Sequence, residues 1–127
     1  MQQPRKIIYH KKSRTLEVSF DGTESAIPAE LLRVYSPSAE VRGHGADQRK
    51  LETGKKYVAI KKIEPVGNYA IRLIFDDGHD SGLYAWDYLR QLGENLDTYW
   101  QEYLADLKAA NASRLPTIPV GQWNPKA

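Results

Sequence analysis

The stretch YAIRLIFDDGHDSGLYAWDYLRQL, residues 69–92, decides the fold class because its hydrophobic period changes partway along. Tyr69, Ile71, Leu73 and Phe75 alternate with their neighbours, as in a strand with one face on a core. Asp76-Asp77-Gly78 follows with turn chemistry, and Asp-Gly between apolar runs signals a hairpin. A short strand over His79–Leu83 is expected to return. From Tyr84 the spacing becomes helical: Ala85, Tyr88, Leu89 and Leu92 share a face, and Leu96, Tyr99, Trp100, Tyr103, Leu104 and Leu107 extend the stripe. Gly93 falls in the middle and is read as the cap of a first helix, with Asn95 or Asp97 opening a second. A hairpin feeding an amphipathic helix that needs a surface to cover predicts sheet and helix in one layer pair.

Working outward, Lys6–His10 reads as a strand and residues 11–14 as a turn. Thr15–Phe20 is a second strand, with Leu16, Val18 and Phe20 on one face, closed by Asp21-Gly22. Ile27–Tyr35 reads as a short helix with Pro28 in its first turn, stopped at Ser36-Pro37 because the residue before proline is pushed out of helical geometry. Residues 36–56 read as a long loop around Arg42-Gly43-His44-Gly45, and a loop of that length is usually functional or mobile. Tyr57–Glu64 is a third strand. The expected fold is α+β: a small, mainly antiparallel sheet of about five strands in hairpins, packed by a short helix and a C-terminal kinked helix or helix pair. Residues 1–108 form the domain. Residues 109–127, with Pro116, Pro119 and Pro125, are expected to be a flexible tail, although Ile118, Val120 and Trp123 give it apolar groups that can dock.

The chain has 127 residues, 41% hydrophobic and 27% charged, ordinary values for one globular domain. No apolar run is long enough to span a membrane, and the polar, basic start is unlike a secretory signal. With no cysteine, disulfides, thiolate nucleophiles and thiolate metal sites are excluded, and a cytoplasmic, monomeric protein is expected. The net charge of +2 is uneven: residues 1–62 hold 13 Lys and Arg against 7 Asp and Glu, and residues 63–127 hold 5 against 9. Two halves that attract each other explain this better than a nucleic-acid face, which carries a larger basic excess.

The chemistry-bearing patterns are sparse. His79 among Asp76, Asp77 and Asp80 offers an imidazole with carboxylates, but turn chemistry accounts for the aspartates. No Gly-x-Ser-x-Gly elbow is present. The glycines around His44 lack Walker spacing and a following helix. Lys55, Lys56, Lys61 and Lys62 around Tyr57 suit either single-stranded nucleic acid or protection of a strand edge. Most of the aromatics from Tyr84 to Tyr103 are expected in the core; Trp86 is out of phase with the Ala85/Tyr88/Leu89 stripe and, if exposed, is a candidate partner contact.

Leu32-Arg33-Val34-Tyr35-Ser36-Pro37-Ser38-Ala39-Glu40 and Asp77-Gly78-His79-Asp80-Ser81-Gly82-Leu83-Tyr84-Ala85-Trp86-Asp87-Tyr88-Leu89 resemble the two signature stretches of the γ-butyrobetaine hydroxylase-like N-terminal domain family. The resemblance spans roughly residues 5–107. It includes standalone bacterial copies, N-terminal domains of 2-oxoglutarate dioxygenases, and domains fused to iron–sulfur-carrying P-loop ATPases. In the dioxygenases, the resemblance implies, a structural zinc is held by three cysteines and a histidine. Those positions read Ser36, Ser38, Val41 and His79 here, so loss of the zinc and no bound cofactor are expected. The dioxygenase catalytic domain is a separate unit, and its activity does not carry over. The function this implies is a non-catalytic accessory module with a protein partner, in iron–sulfur or cofactor metabolism, whose contact surface is Arg33, Arg42, His44, His79, Asp80 and Trp86. Two alternatives stand beside it: weak anion or nucleic-acid binding by the basic half, and metal binding through His79.

Overall fold

The computed structural model describes residues 2–38 and 50–116. Three strands, β1 (Lys6–His10), β2 (Thr15–Phe20) and β3 (Thr23–Pro28), form one antiparallel meander. Ile7 faces Val18 and Leu16 faces Ile27 across it. A short helix, α1 (Ala29–Val34), follows directly. The second meander is β4 (Ile60–Val66), β5 (Ala70–Phe75) and β6 (Leu83–Ala85), with Ile63 opposite Leu73 and Ile71 opposite Tyr84. Helices α2 (Trp86–Glu94) and α3 (Leu96–Ala109) complete the order. One core cluster joins both sheets and all three helices: Leu16, Val18 and Ile27 meet Leu31 and Leu32, then Leu73 and Phe75, then Leu89, Tyr103 and Leu107. The fold is α+β with a C-terminal helix pair, as the change of period at Tyr84 predicts.

Two sheets stand where one of about five strands was expected, for two reasons. Thr23–Pro28 is a strand that residue type conceals: Thr23, Glu24, Ser25 and Ala26 are small or polar, and Ile27 is its one fully buried residue. Helix α1 therefore starts at Ala29, with Ile27 and Pro28 belonging to the strand. The other reason lies at β4. Strands β1 and β4 run alongside each other, touching where the Gln3 side-chain amide donates to the Asn68 carbonyl (2.9 Å) and where the Ile60 N–H donates to the Tyr9 hydroxyl (3.1 Å). Yet among the described residues each has a strand neighbour on one side only. Pro65 brings no N–H, and a bulge breaks the register between Ile60 and Lys62. A strand so interrupted cannot offer a continuous ladder to a second neighbour.

Gly93 does not cap the first helix. It lies within α2, where a Cβ would come 2.6 Å from the Ser25 hydroxyl oxygen and 2.7 Å from Ser25 Cβ. Its bare backbone lets α2 lie close on β3, and Asn95 forms the break before α3. The first part of the expected flexible tail is held. The Ala112 N–H donates to the Leu107 carbonyl (2.8 Å), and the Ser113 and Arg114 carbonyls accept from the N–H groups of Gly54 and Lys56 (2.9 Å each). Residues 117–127 of that tail lie outside the described residues.

Candidate functional site

Helix α1 is buried on all sides, including two charged residues. Each charge is matched. Glu30 accepts two hydrogen bonds from the Arg114 guanidinium (2.8 and 2.7 Å) and one from the Tyr103 hydroxyl (2.6 Å). Arg33 Nε donates to Asp77 Oδ2 (2.8 Å), and its Nη1 lies 3.6 Å from Glu52. The helix thus pins the C-terminal segment with one charge and the β5–β6 hairpin with the other. Tyr84 donates to the Leu32 carbonyl (2.5 Å), fastening β6 to the same helix. Burial pushes the Tyr84 phenol far above its ordinary range, so it stays a neutral donor.

The chain leaving α1 meets the hairpin at the positions the resemblance marks as zinc ligands. Ser36 Oγ and His79 Nε2 share a hydrogen bond of 2.8 Å, and the Ser38 N–H donates to Ser36 Oγ at 3.3 Å. Ser36 is 1% exposed and His79 8%. Gly82 closes the site from the hairpin side: a Cβ there would come 2.5 Å from Ser36 Oγ. Beside it, burial pushes the Asp77 carboxyl up, but hydrogen bonds from Lys55, the His79 backbone N–H and Arg33 outweigh this and lower it to about 2. Val41 lies outside the described residues.

These residues do not fit zinc. A tetrahedral structural site needs deprotonated soft donors, and the two cysteine positions seen here carry neutral hydroxyls, one already bonded to the imidazole nitrogen that would face a metal. Among the described residues, no three His, Cys, Asp or Glu side chains gather into a metal-sized group. A serine–imidazole pair is also half of a nucleophilic device. Here the serine is buried with the Gly82 backbone against its hydroxyl, and the Asp77 carboxylate takes the backbone N–H of His79 at 3.1 Å. The arrangement is a polar plug joining helix to hairpin.

Of the residues expected from sequence to form a contact surface, the structure places three in the interior. Arg33 (7% exposed) and His79 are internal, fixed by Asp77 and Ser36. Trp86 is 8% exposed, because the break into helix comes at that residue and its indole N–H donates to the Asn68 carbonyl (2.7 Å). Asp80 is exposed, 3.8 Å from Arg72. Arg42 and His44 lie outside the described residues. Lys55 is paired with Asp77 (2.7 Å), while Lys61 and Lys62 are exposed on β4, an edge strand.

Sequence reasoning missed a groove between β1 and β4. It measures about 510 Å³ and is floored by Ile7, Ile63, Pro65, Ile71 and Trp86, with Arg5 and Lys6 on one lip. Tyr69, in the turn beside Asn68, is 52% exposed. Alternation in β1 and β4 points to each strand's apolar face but cannot say that the two faces meet.

No curated protein matches the chain. A solution NMR structure with 47% identity superposes with a TM-score of 0.82, covering 97% of this chain and 98% of its own. A second NMR structure, 50% identical, gives 0.78 over 98% and 93%. A crystal structure of a protein of unknown function from Acidithiobacillus ferrooxidans ATCC 23270, assigned to the DUF971 family, is 39% identical with a TM-score of 0.61, covering 72% of this chain and 92% of its own. The family model described as gamma-butyrobetaine hydroxylase-like, N-terminal, matches residues 7–90, from β1 through most of α2. With two thirds of its length matched and the signature stretches folded against each other, the chain belongs to the γ-butyrobetaine hydroxylase-like N-terminal domain family.

Proposed function

We propose that this chain is a non-catalytic accessory module that binds a protein partner, and that an extended partner segment seats between β1 and β4. The groove there carries the reading. Two strand edges flank it, each with backbone groups that have no strand neighbour on that side among the described residues, and its floor is apolar. The unbroken β1 edge with an apolar pocket beside it suits an extended peptide: β1 provides main-chain hydrogen bonds, the pocket takes an alternate side chain, and the interrupted β4 forms the far wall. Arg5 and Lys6 at the lip are already paired with Asp21 (3.0 Å) and Glu17 (2.9 Å), so the apolar floor, not charge, selects the segment. The buried Ser36–His79 plug supports the non-catalytic part of the reading, because the one hydroxyl–imidazole pair among the described hydrogen bonds is closed to a substrate. It also weighs against metal binding through His79.

A photo-crosslinking residue at position 63, at the groove, tests this beside one at position 102, an exposed glutamate on α3. The expected result is one discrete adduct from position 63, mapped by mass spectrometry to an extended segment of a partner and lost on adding Ile7→Glu. No adduct, or the same adducts from both positions, rules the groove out.

A further inference from the structure

We propose that the cleft between the β1–β2 turn and α3 is a binding site for a small phosphate-class oxyanion. The cleft measures about 250 Å³ and is bounded by Arg14, Lys56 and Arg114, with Ser13 at the rim and Glu30 and Trp100 within. Three cations and one carboxylate thus line one cleft, and the carboxylate is taken up by Arg114. Both Glu30 oxygens accept from Arg114, and one also accepts from Tyr103. Arg114 is fixed further by lying over the Trp100 ring, 4.9 Å from its centroid. Among the described residues Arg14 has no ion-pair partner, and the Lys56 ammonium has only the Tyr57 ring, 5.5 Å away. A tetrahedral anion placed between them would gain two charge-assisted partners, and the Ser13 hydroxyl, bonded to Thr15 Oγ1 at 2.8 Å, can turn its proton to it when Thr15 is the donor of that pair.

Backbone geometry agrees. Arg14 holds φ of 54°, left-handed, a conformation that glycine or asparagine adopts more easily than arginine. Its carbonyl accepts from the Ala29 N–H (2.8 Å), so the turn is locked to the start of α1 and the arginine stem is aimed from a fixed point. Strain retained at a position where an easier residue would serve points to a role for the side chain. The cleft also continues along α3. A larger cavity of about 510 Å³ shares Lys56 and Arg114 and adds Leu104, Leu107 and Lys108. An oxyanion carrying an apolar body therefore has room for both parts. This site does not depend on the groove between β1 and β4: the two have no residue in common.

NMR decides the matter on the full chain, following the Arg14 and Arg114 Nε–H and the Trp100 indole N–H during titration with inorganic phosphate and then pyrophosphate. Saturating shifts at millimolar anion are expected, with pyrophosphate the tighter ligand. The pair Arg14→Asn and Lys56→Gln, which keeps the left-handed turn and avoids the buried residues, should weaken pyrophosphate at least roughly tenfold. Lys61→Gln with Lys62→Gln, away from the cleft, should leave it unchanged. The absence of saturation, or equal weakening by both variant pairs, overturns the proposal. So does saturation by single-stranded oligonucleotide alone, which would assign the charge to nucleic-acid binding.

Discussion

Gly82→Ala probes the polar plug with a single methyl group. The new Cβ would sit 2.5 Å from Ser36 Oγ, 3.2 Å from Tyr84 Cε1 and 3.3 Å from Pro37 Cδ. The last two contacts can give by a few tenths of an ångström. The first cannot, because Ser36 is buried and its oxygen is held at 2.8 Å from His79 Nε2 and 3.3 Å from the Ser38 N–H. Turning the hydroxyl away loses a buried hydrogen bond and leaves imidazole and amide without it, about 1–3 kcal/mol. Overpacking adds about 1–3 kcal/mol. A total near 3 kcal/mol lowers the melting temperature by roughly 10 °C in a domain of this size. Thermal and urea unfolding followed by circular dichroism give the number, and the double-mutant cycle with Ser36→Ala gives the cause. Removing the serine oxygen should make the alanine at 82 cheaper by at least about 1 kcal/mol. A change of under about 0.5 kcal/mol for Gly82→Ala, or an equal cost in both backgrounds, would refute the plug as described.

Arg114→Ala leaves the Glu30 carboxylate buried with Tyr103 as its remaining donor. Since Arg114 is itself about a third exposed, the loss should fall near the lower end for broken buried pairs, about 2–3 kcal/mol by urea unfolding, and Glu30→Gln in the same chain should recover part of it. Asp77 sets an acid limit. Its carboxyl titrates at about 2 in the fold against 3.8 ordinarily, so its contribution is complete above pH ~4 and is lost as pH falls towards ~2. The urea midpoint should drop across that window, and Asp77→Asn should flatten the drop.

Much of the fold was legible because period survives in the sequence. The alternation of Leu16, Val18 and Phe20, that of Ile71, Leu73 and Phe75, and the helical stripe from Leu89 to Leu107 each name a buried face. Thr23–Pro28 was not legible, because a strand of small polar residues pairs by its backbone and shows little hydrophobic pattern. Gly93 was misread because a glycine that permits close packing and one that caps a helix look alike in one dimension. The site was legible only in part. The resemblance placed Ser36, Ser38 and His79 near one another, and the structure joins them. That Trp86, Arg33 and His79 face inward depends on Asn68, Asp77 and Ser36, partners up to 44 residues away for Arg33. The Glu30–Tyr103–Arg114 group, spanning 84 residues, leaves no local trace, although a glutamate and an arginine both inside one short helix are a signal that each must find a counter-charge.

That a hydrogen bond stands at the positions the resemblance marks for zinc is tested most directly by the melting temperature of untagged protein, measured with chelator and then with excess zinc, alongside the His79 imidazole nitrogen resonances. The expected result is the same melting temperature in both, within about 1 °C, with His79 Nε2 unmoved. A native site filled to about a hundred times its dissociation constant would add about 2.7 kcal/mol. A rise of that size with a shift at Nε2 would show that His79 still ligates metal and that the hydrogen bond to Ser36 has not replaced it.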